Sequence, residues 1–148
     1  MEAASPARLY AAAAGAFLLL LGIAGFFYSA SFGAPGDVEK ALGAFDVNAW
    51  ANLLYVAAGA IGLLSAGLAS RRYALAAGAL FTVLAIWGFS LERGGDILGF
   101  LPAGGADDFL RLAVGLLGLA AAAATPRRSR VSSRRGRRDS EPRAQAAG

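Results

Sequence analysis

Four stretches of this chain are apolar for about as long as a helix needs to cross a bilayer, and little else in the sequence could build a fold without them. A spanning helix takes about 20 residues, and the blocks run over about 6–28, 47–69, 72–90 and 108–125. Composition points the same way. Hydrophobic residues make up 57% of the 148 and charged residues 16%, where a soluble domain carries about a quarter charged. The apolar residues run in blocks with no apolar/polar alternation, which argues against half-buried strands. The expected fold is all-α: an integral membrane, antiparallel four-helix bundle over residues 1–126, followed by a disordered tail over 127–148.

Boundary chemistry agrees with these limits. Ser5 before Pro6 reads as an N-cap with proline at the first helical position. Asp46 and Asp107 stand where acidic N-caps belong, and Pro126 closes the last helix. A rival reading takes the first block as a cleaved leader, because Ser29-Ala30-Ser31 resembles a small-residue processing site. Its apolar run exceeds the 7–15 residues of a typical leader core.

The uneven placement of charge orients the chain. Residues 127–143 hold eight arginines against Asp139 and Glu141, and the remainder carries six basic residues against eight acids. Arg8, Arg71, Arg72 and the tail arginines fall on one side of four crossings. The opposite loops, 29–46 and 91–107, hold only Lys40 and Arg93 among several acids. Basic loops stay cytoplasmic, so both termini are expected in the cytoplasm of a cell whose plasma membrane the chain spans.

The sequence also repeats itself. "RLYAAAAGAFLLLLGIAGFF" (8–27) and "RRYALAAGALFTVLAIWGFS" (71–90) share eleven identities in twenty positions. The second and fourth blocks align at an offset of fifty-six, through Leu54/Leu110, Gly59/Gly115 and Gly62/Gly118, with Leu42-Gly43 and Leu98-Gly99 continuing the match upstream. Two tandem two-helix hairpins are expected. Two crossings separate the copies, so their pseudo-two-fold axis would lie along the membrane normal. Each hairpin lines its helices with small residues: Gly15, Gly22 and Gly25 in the first, Gly59 and Gly62 in the second, Gly78 and Gly88 in the third, Gly115 and Gly118 in the fourth. Such stripes let backbones approach where lipid supplies no hydrophobic drive.

Chemistry-bearing residues are few. The absence of cysteine and histidine removes thiolate chemistry and the commonest metal ligand and general base. No phosphate or dinucleotide fingerprint is present, and no cofactor or metal is expected. The one candidate cluster lies at the outer ends of spans two and four: Asn48, Asn52 and Tyr55 with Asp107, Asp108 and Arg111. Ion pairing of Arg111 with the acids three and four residues before it is the plain reading; contact with an anionic substrate is the functional one. Arg111 is expected to snorkel to headgroup water, so that its loss is mild. Loop residues 37–43 read as a short surface helix capped by Asp37 and stopped at Gly43. Gly94-Gly95, Gly99 and Gly104-Gly105 read as a flexible loop. In the tail, Arg127, Arg128, Arg130, Arg134, Arg135, Arg137 and Arg138 are expected to meet anionic lipid headgroups, not nucleic acid.

The segments "LGAFDVNAWANLLYVAAGAIGLL" (42–64) and "ADDFLRLAVGLLGLA" (106–120) resemble a bacterial, actinobacterial-type family of four-span membrane proteins, domain of unknown function 4383. The resemblance covers roughly residues 8–125 and implies the fold without an activity. Members of that family often carry histidines near the starts of spans two and four. Here Ala51, Tyr55 and Arg111 occupy those places, so the resemblance implies no metal or haem. The expectation is a non-enzymatic structural or partner-binding bundle, with the bilayer and a second copy or another membrane protein as partners. The alternative is a small transport or channel subunit using the cluster around Arg111.

Overall fold

A computed structural model of the chain describes residues 4–30, 32, 39–41, 45–91, 95–103 and 105–126. The protein is mostly helical: α1 (Pro6–Tyr28), β1 (Glu39–Ala41), β2 (Phe45–Val47), α2 (Ala49–Leu68), α3 (Ser70–Ser90), β3 (Asp96–Ile97), β4 (Leu101–Pro102) and α4 (Ala106–Ala124). Three helices, α1, α2 and α3, are long and apolar enough to cross a membrane. The fourth falls short because Asp107, Asp108 and Arg111 crowd its first six residues.

Local chemistry sets the helix ends. The Ser5 hydroxyl accepts the Arg8 N–H at 3.3 Å, and Pro6 starts α1 with its φ already helical. Two cap assignments need correction. The α2 N-cap is Asn48, whose Oδ1 accepts the Ala51 N–H at 2.7 Å, while Asp46 lies in strand β2. The α4 N-cap is Gly105 at φ 127°, and Asp107 falls inside the first turn. Both acids sit near the right place in sequence, but their carboxylates are not the ones that meet the free amides. Helices α2 and α3 meet at Ala69, which ends one and begins the other.

The connections from α1 to α2 and from α3 to α4 contain paired β-strands, which also corrects the surface helix read over 37–43. Residues 39–41 form a strand paired antiparallel with 45–47, in the register Glu39–Val47, Lys40–Asp46 and Ala41–Phe45. Residues 37, 38 and 42–44 lie outside the described set. A segment this short gains more from pairing its backbone with a β-favouring Phe-Asp-Val partner than from one unsupported helical turn. The glycine-rich loop is likewise ordered over its described residues: Asp96–Ile97 pairs with Leu101–Pro102. Gly94 and Gly104 lie outside the described residues. At the tip, Leu98 (φ 56°) and Gly99 (φ 74°) both take left-handed backbone, and the Phe100 N–H donates to the Ile97 carbonyl at 3.1 Å.

A leucine in that region costs roughly 1–2 kcal/mol, and Leu98 is 66% exposed, so its side chain offsets little of the cost. Leu98→Asn is expected to raise stability by about 0.5–1 kcal/mol, since asparagine tolerates the conformation. Thermal unfolding in detergent checks this; a loss of stability would show that the leucine is held by packing.

Packing is pairwise. Helix α1 lies chiefly against α2 and α3 against α4, with lesser contacts joining the pairs. The offsets that align the sequence also relate the contacts. A Cβ built on Gly15 would lie 2.9 Å from the Leu63 amide nitrogen, and one on Gly78 would lie 2.7 Å from that of Leu119. The Tyr10 hydroxyl donates to the Val114 carbonyl and the Tyr73 hydroxyl to that of Ala58, each at 2.9 Å. These two bonds exchange under the repeat, and their rings meet at 6.2 Å. The hairpins follow the same rule: β1 touches α1 and β2 touches α4, while β3 touches α3 and β4 touches α2. At the other end, Thr125 Oγ1 accepts the Ala7 N–H at 2.9 Å and the Thr125 carbonyl accepts Arg71 Nε–H at 3.0 Å.

Candidate functional site

The polar cluster is built where side chains from the N-terminal ends of α2 and α4 reach one another beneath the two hairpins. Both ends present polar side chains on the helix face that continues into the glycines, because steps of three and four keep residues on one stripe. Asn52, Tyr55, Gly59 and Gly62 are buried along α2, and Asp108, Arg111, Gly115 and Gly118 along α4. Asn52 and Asp108 occupy equivalent positions and do equivalent things. The Asn52 side chain lies against the bare Cα of Gly25, and the Asp108 carboxylate against that of Gly88. No Cβ fits at either glycine.

Arg111 stands at the centre and is fully buried, as is Asp108. Its Nη1 donates to Asp108 Oδ1 at 2.9 Å and to the Pro102 carbonyl at 2.8 Å. The guanidinium therefore joins its own helix to hairpin β3–β4. Snorkelling, expected for an arginine near a helix end, does not occur: the hairpins cover the mouth, and the side chain turns inward to the carboxylate one turn back. Asp107 does not share the pairing. Its Oδ2 accepts the Asp46 N–H at 2.8 Å and so ties β2 to α4. Asn48 makes the reciprocal tie, its Nδ2 donating to the Phe100 carbonyl at 2.6 Å. Asn52 Nδ2 donates to the Ser29 carbonyl at the end of α1 at 3.0 Å.

Tyr55 completes the cluster, stacked on Phe81 with ring centroids 6.3 Å apart and lying beside Arg111. Among the described residues, four buried atoms have no hydrogen-bond partner: Asn52 Oδ1, the Tyr55 hydroxyl, and Nε and Nη2 of Arg111. A cavity of about 20 Å³ reaches Asn52, Tyr55 and Asp107 from between α1 and β2.

A family model described as Domain of unknown function (DUF4383) matches residues 8–125. The chain belongs to that family. The matched region of this DUF4383 protein runs from the first turn of α1 to the residue that caps α4, so it contains both hairpins and the whole cluster. No curated protein and no solved structure matches the chain.

The six polar residues thus stand at one end of the molecule, five of them around the Tyr55–Arg111 contact and Asn48 at the rim. The nine stripe glycines lie at helix contacts, seven of them facing backbone of a neighbouring helix within 3.0 Å of a built Cβ: Gly15, Gly22, Gly59, Gly62, Gly78, Gly115 and Gly118. The seven tail arginines lie outside the described residues. Sequence reasoning missed the acceptors and donors that the main chain supplies, at Ser29, Asp46, Phe100 and Pro102. Their residue types carry no such signal; only the hairpin fold brings them to the cluster.

Proposed function

We propose that this DUF4383 protein is a four-span integral protein of a bacterial plasma membrane, with both termini cytoplasmic, and that it serves as a non-catalytic structural or partner-binding bundle. The observation that carries the non-catalytic reading is how the buried charges are used. Asp107, Asp108, Arg111, Asn48 and Asn52 each hold a helix or a hairpin in place. Such groups are expensive in a bundle, and here they close its outer end.

Several features support a fourth crossing. At 19 residues and 1.5 Å per residue, α4 is about 28 Å long, close to the ~30 Å hydrocarbon core. Its ionisable residues are confined to the hairpin end, and the rest packs along α3 as α2 packs along α1. Exposed aromatic residues gather at the hairpin end, where Trp50, Trp87, Phe89 and Phe109 are each more than a third exposed. Arg8, Arg71 and Arg72 stand at the other end. This is the arrangement of an aromatic belt facing a basic cytoplasmic side. The Arg-rich tail over 127–148 then lies beside anionic headgroups.

Reporter fusions at Gly148 and within the 33–38 segment test the topology and should report opposite sides. The same side for both would overturn four crossings. The second reading, a transport or channel subunit, is favoured only by the unpartnered Nε and Nη2 of Arg111. Proteoliposomes should show no flux of small anions above the lipid background; a flux abolished by Arg111→Gln would establish transport instead.

A further inference from the structure

We propose that the cavity beside Asn52 and Tyr55 binds the hydroxyl group of an uncharged, apolar-bodied alcohol, a lipid of the mono- or diacylglycerol kind. The cavity enters between the last turns of α1 and strand β2. Its walls are apolar, with Leu21, Ala24 and Val47 among them, and its inner end is polar, at Asn52, Tyr55 and Asp107.

Asn52 is 1% exposed and Tyr55 2%. Burying a polar atom without a partner is unfavourable, yet among the described residues Asn52 Oδ1 and the Tyr55 hydroxyl have none. The two make opposite demands. Asn52 Oδ1 can only accept, and the Tyr55 O–H is available to donate. The inner end has room for about one water-sized group, so an alcohol would place only its hydroxyl there, in the role of a water, accepting from Tyr55 and donating to Asn52, with its body left in the apolar entrance. An ester or ketone carbonyl could accept from Tyr55 but would leave Asn52 unmet.

The two nearest charges have opposite signs and so favour a neutral occupant over either ion. The Asp107 carboxylate lines the cavity and opposes an anion, while the Arg111 guanidinium beside Tyr55 opposes a cation. A neutral group is what remains. Its body is apolar because the entrance is. On that side α1 exposes Ala24 and Tyr28, which on the four-span reading face acyl chains at the outer interface. The source of the alcohol rests on that reading, whereas the hydroxyl specificity rests on the cavity alone.

The test uses the full chain purified in a zwitterionic detergent, because sugar-headed detergents would supply competing hydroxyls. Dodecanol and 1,2-dioctanoylglycerol are titrated while the melting temperature and the 1:1 adduct by native mass spectrometry are followed. Dodecyl acetate, laurate and dodecylamine serve as the capped, anionic and cationic counterparts. Both alcohols should bind saturably, and capping the hydroxyl should weaken binding about tenfold, the equivalent of roughly 1.4 kcal/mol. Tyr55→Phe keeps the ring on Phe81 and removes the hydroxyl, which also lies against the Arg111 guanidinium. It should cost a similar tenfold in alcohol binding while leaving the weaker binding of dodecyl acetate unchanged, a split that a general loss of stability would not produce. Ala24→Leu should block the entrance from α1 without touching the polar end. Equal binding of dodecyl acetate, or full binding by Tyr55→Phe, would overturn the proposal in favour of simple apolar partition. Preference for laurate or the amine, or no saturable binding at all, would also overturn it. None of these results bears on topology, which the reporter fusions decide separately.

Discussion

Arg111→Leu lowers the stability of the detergent-solubilised protein by about 3–5 kcal/mol, the usual cost of leaving one member of a buried ion pair without the other. The pair is N–O 2.9 Å apart with both side chains at 0% exposure, so water cannot take over the role of the lost guanidinium. The same change also frees the Pro102 carbonyl and loosens hairpin β3–β4. Adding Asp108→Asn should recover most of the loss, to within about 1–2 kcal/mol of the parent, because replacing a whole buried pair by neutral groups is often close to neutral. The first hairpin shows that a neutral version works: Asn52 and Tyr55 hold the equivalent positions, and Asn52 rests on Gly25 as Asp108 rests on Gly88. Equilibrium unfolding of the parent, the single variant and the double variant forms the test. A single variant as stable as the parent would mean that Arg111 reaches solvent after all. A double variant no better than the single would place the value of Arg111 in the hairpin contact instead of the pair.

Gly15→Ala and Gly78→Ala are each expected to destabilise by about 1–3 kcal/mol, the range of overpacking a close contact. At Gly15 the new methyl would lie 2.9 Å from the Leu63 nitrogen and 3.0 Å from the Gly59 oxygen. At Gly78 the distances are 2.7 Å to the Leu119 nitrogen and 3.0 Å to the Gly115 oxygen. These neighbours are backbone, which cannot rotate aside, so the helices must separate and lose the packing that holds each hairpin together. Gly67→Ala is the control. A Cβ there meets nothing within 4 Å, and the gain in helix propensity should stabilise by up to about 1 kcal/mol. If all three alanine variants behave alike, the glycines matter for propensity and not for approach.

Much of the helical frame follows from the sequence, since the length of an apolar run and the chemistry at its ends act locally. Ser5 and Pro6 define the start of α1 wherever that helix is placed. Spacings of three and four put Asn52 with Gly59, and Asp108 with Arg111, on one face in any surroundings. The repeat is visible in the strings themselves, and with it the equivalence of Tyr55 and Arg111. Local chemistry determines the caps less completely. Asp46 and Asn48 are both competent caps two residues apart, and the choice depends on which of them β2 claims for its ladder.

What only the tertiary structure decided lies at the hairpin end. Residues 39–41 and 45–47 have no pattern that separates a strand from a loop, because three-residue strands draw their stability from the partner and from the helices beneath. Arg111 reads the same in sequence whether it snorkels outward or turns inward. Its direction is settled by the hairpin that covers it and by the seat that Gly88 gives the Asp108 carboxylate; the partner lies three residues away in sequence, but its seat and the cover do not. The Tyr10–Val114 and Tyr73–Ala58 bonds are likewise invisible before the hairpins are docked, since each joins residues that share no local geometry. Elements form from what neighbours along the chain dictate; the site forms from which groups the packed elements leave facing one another, and that depends on every contact at once.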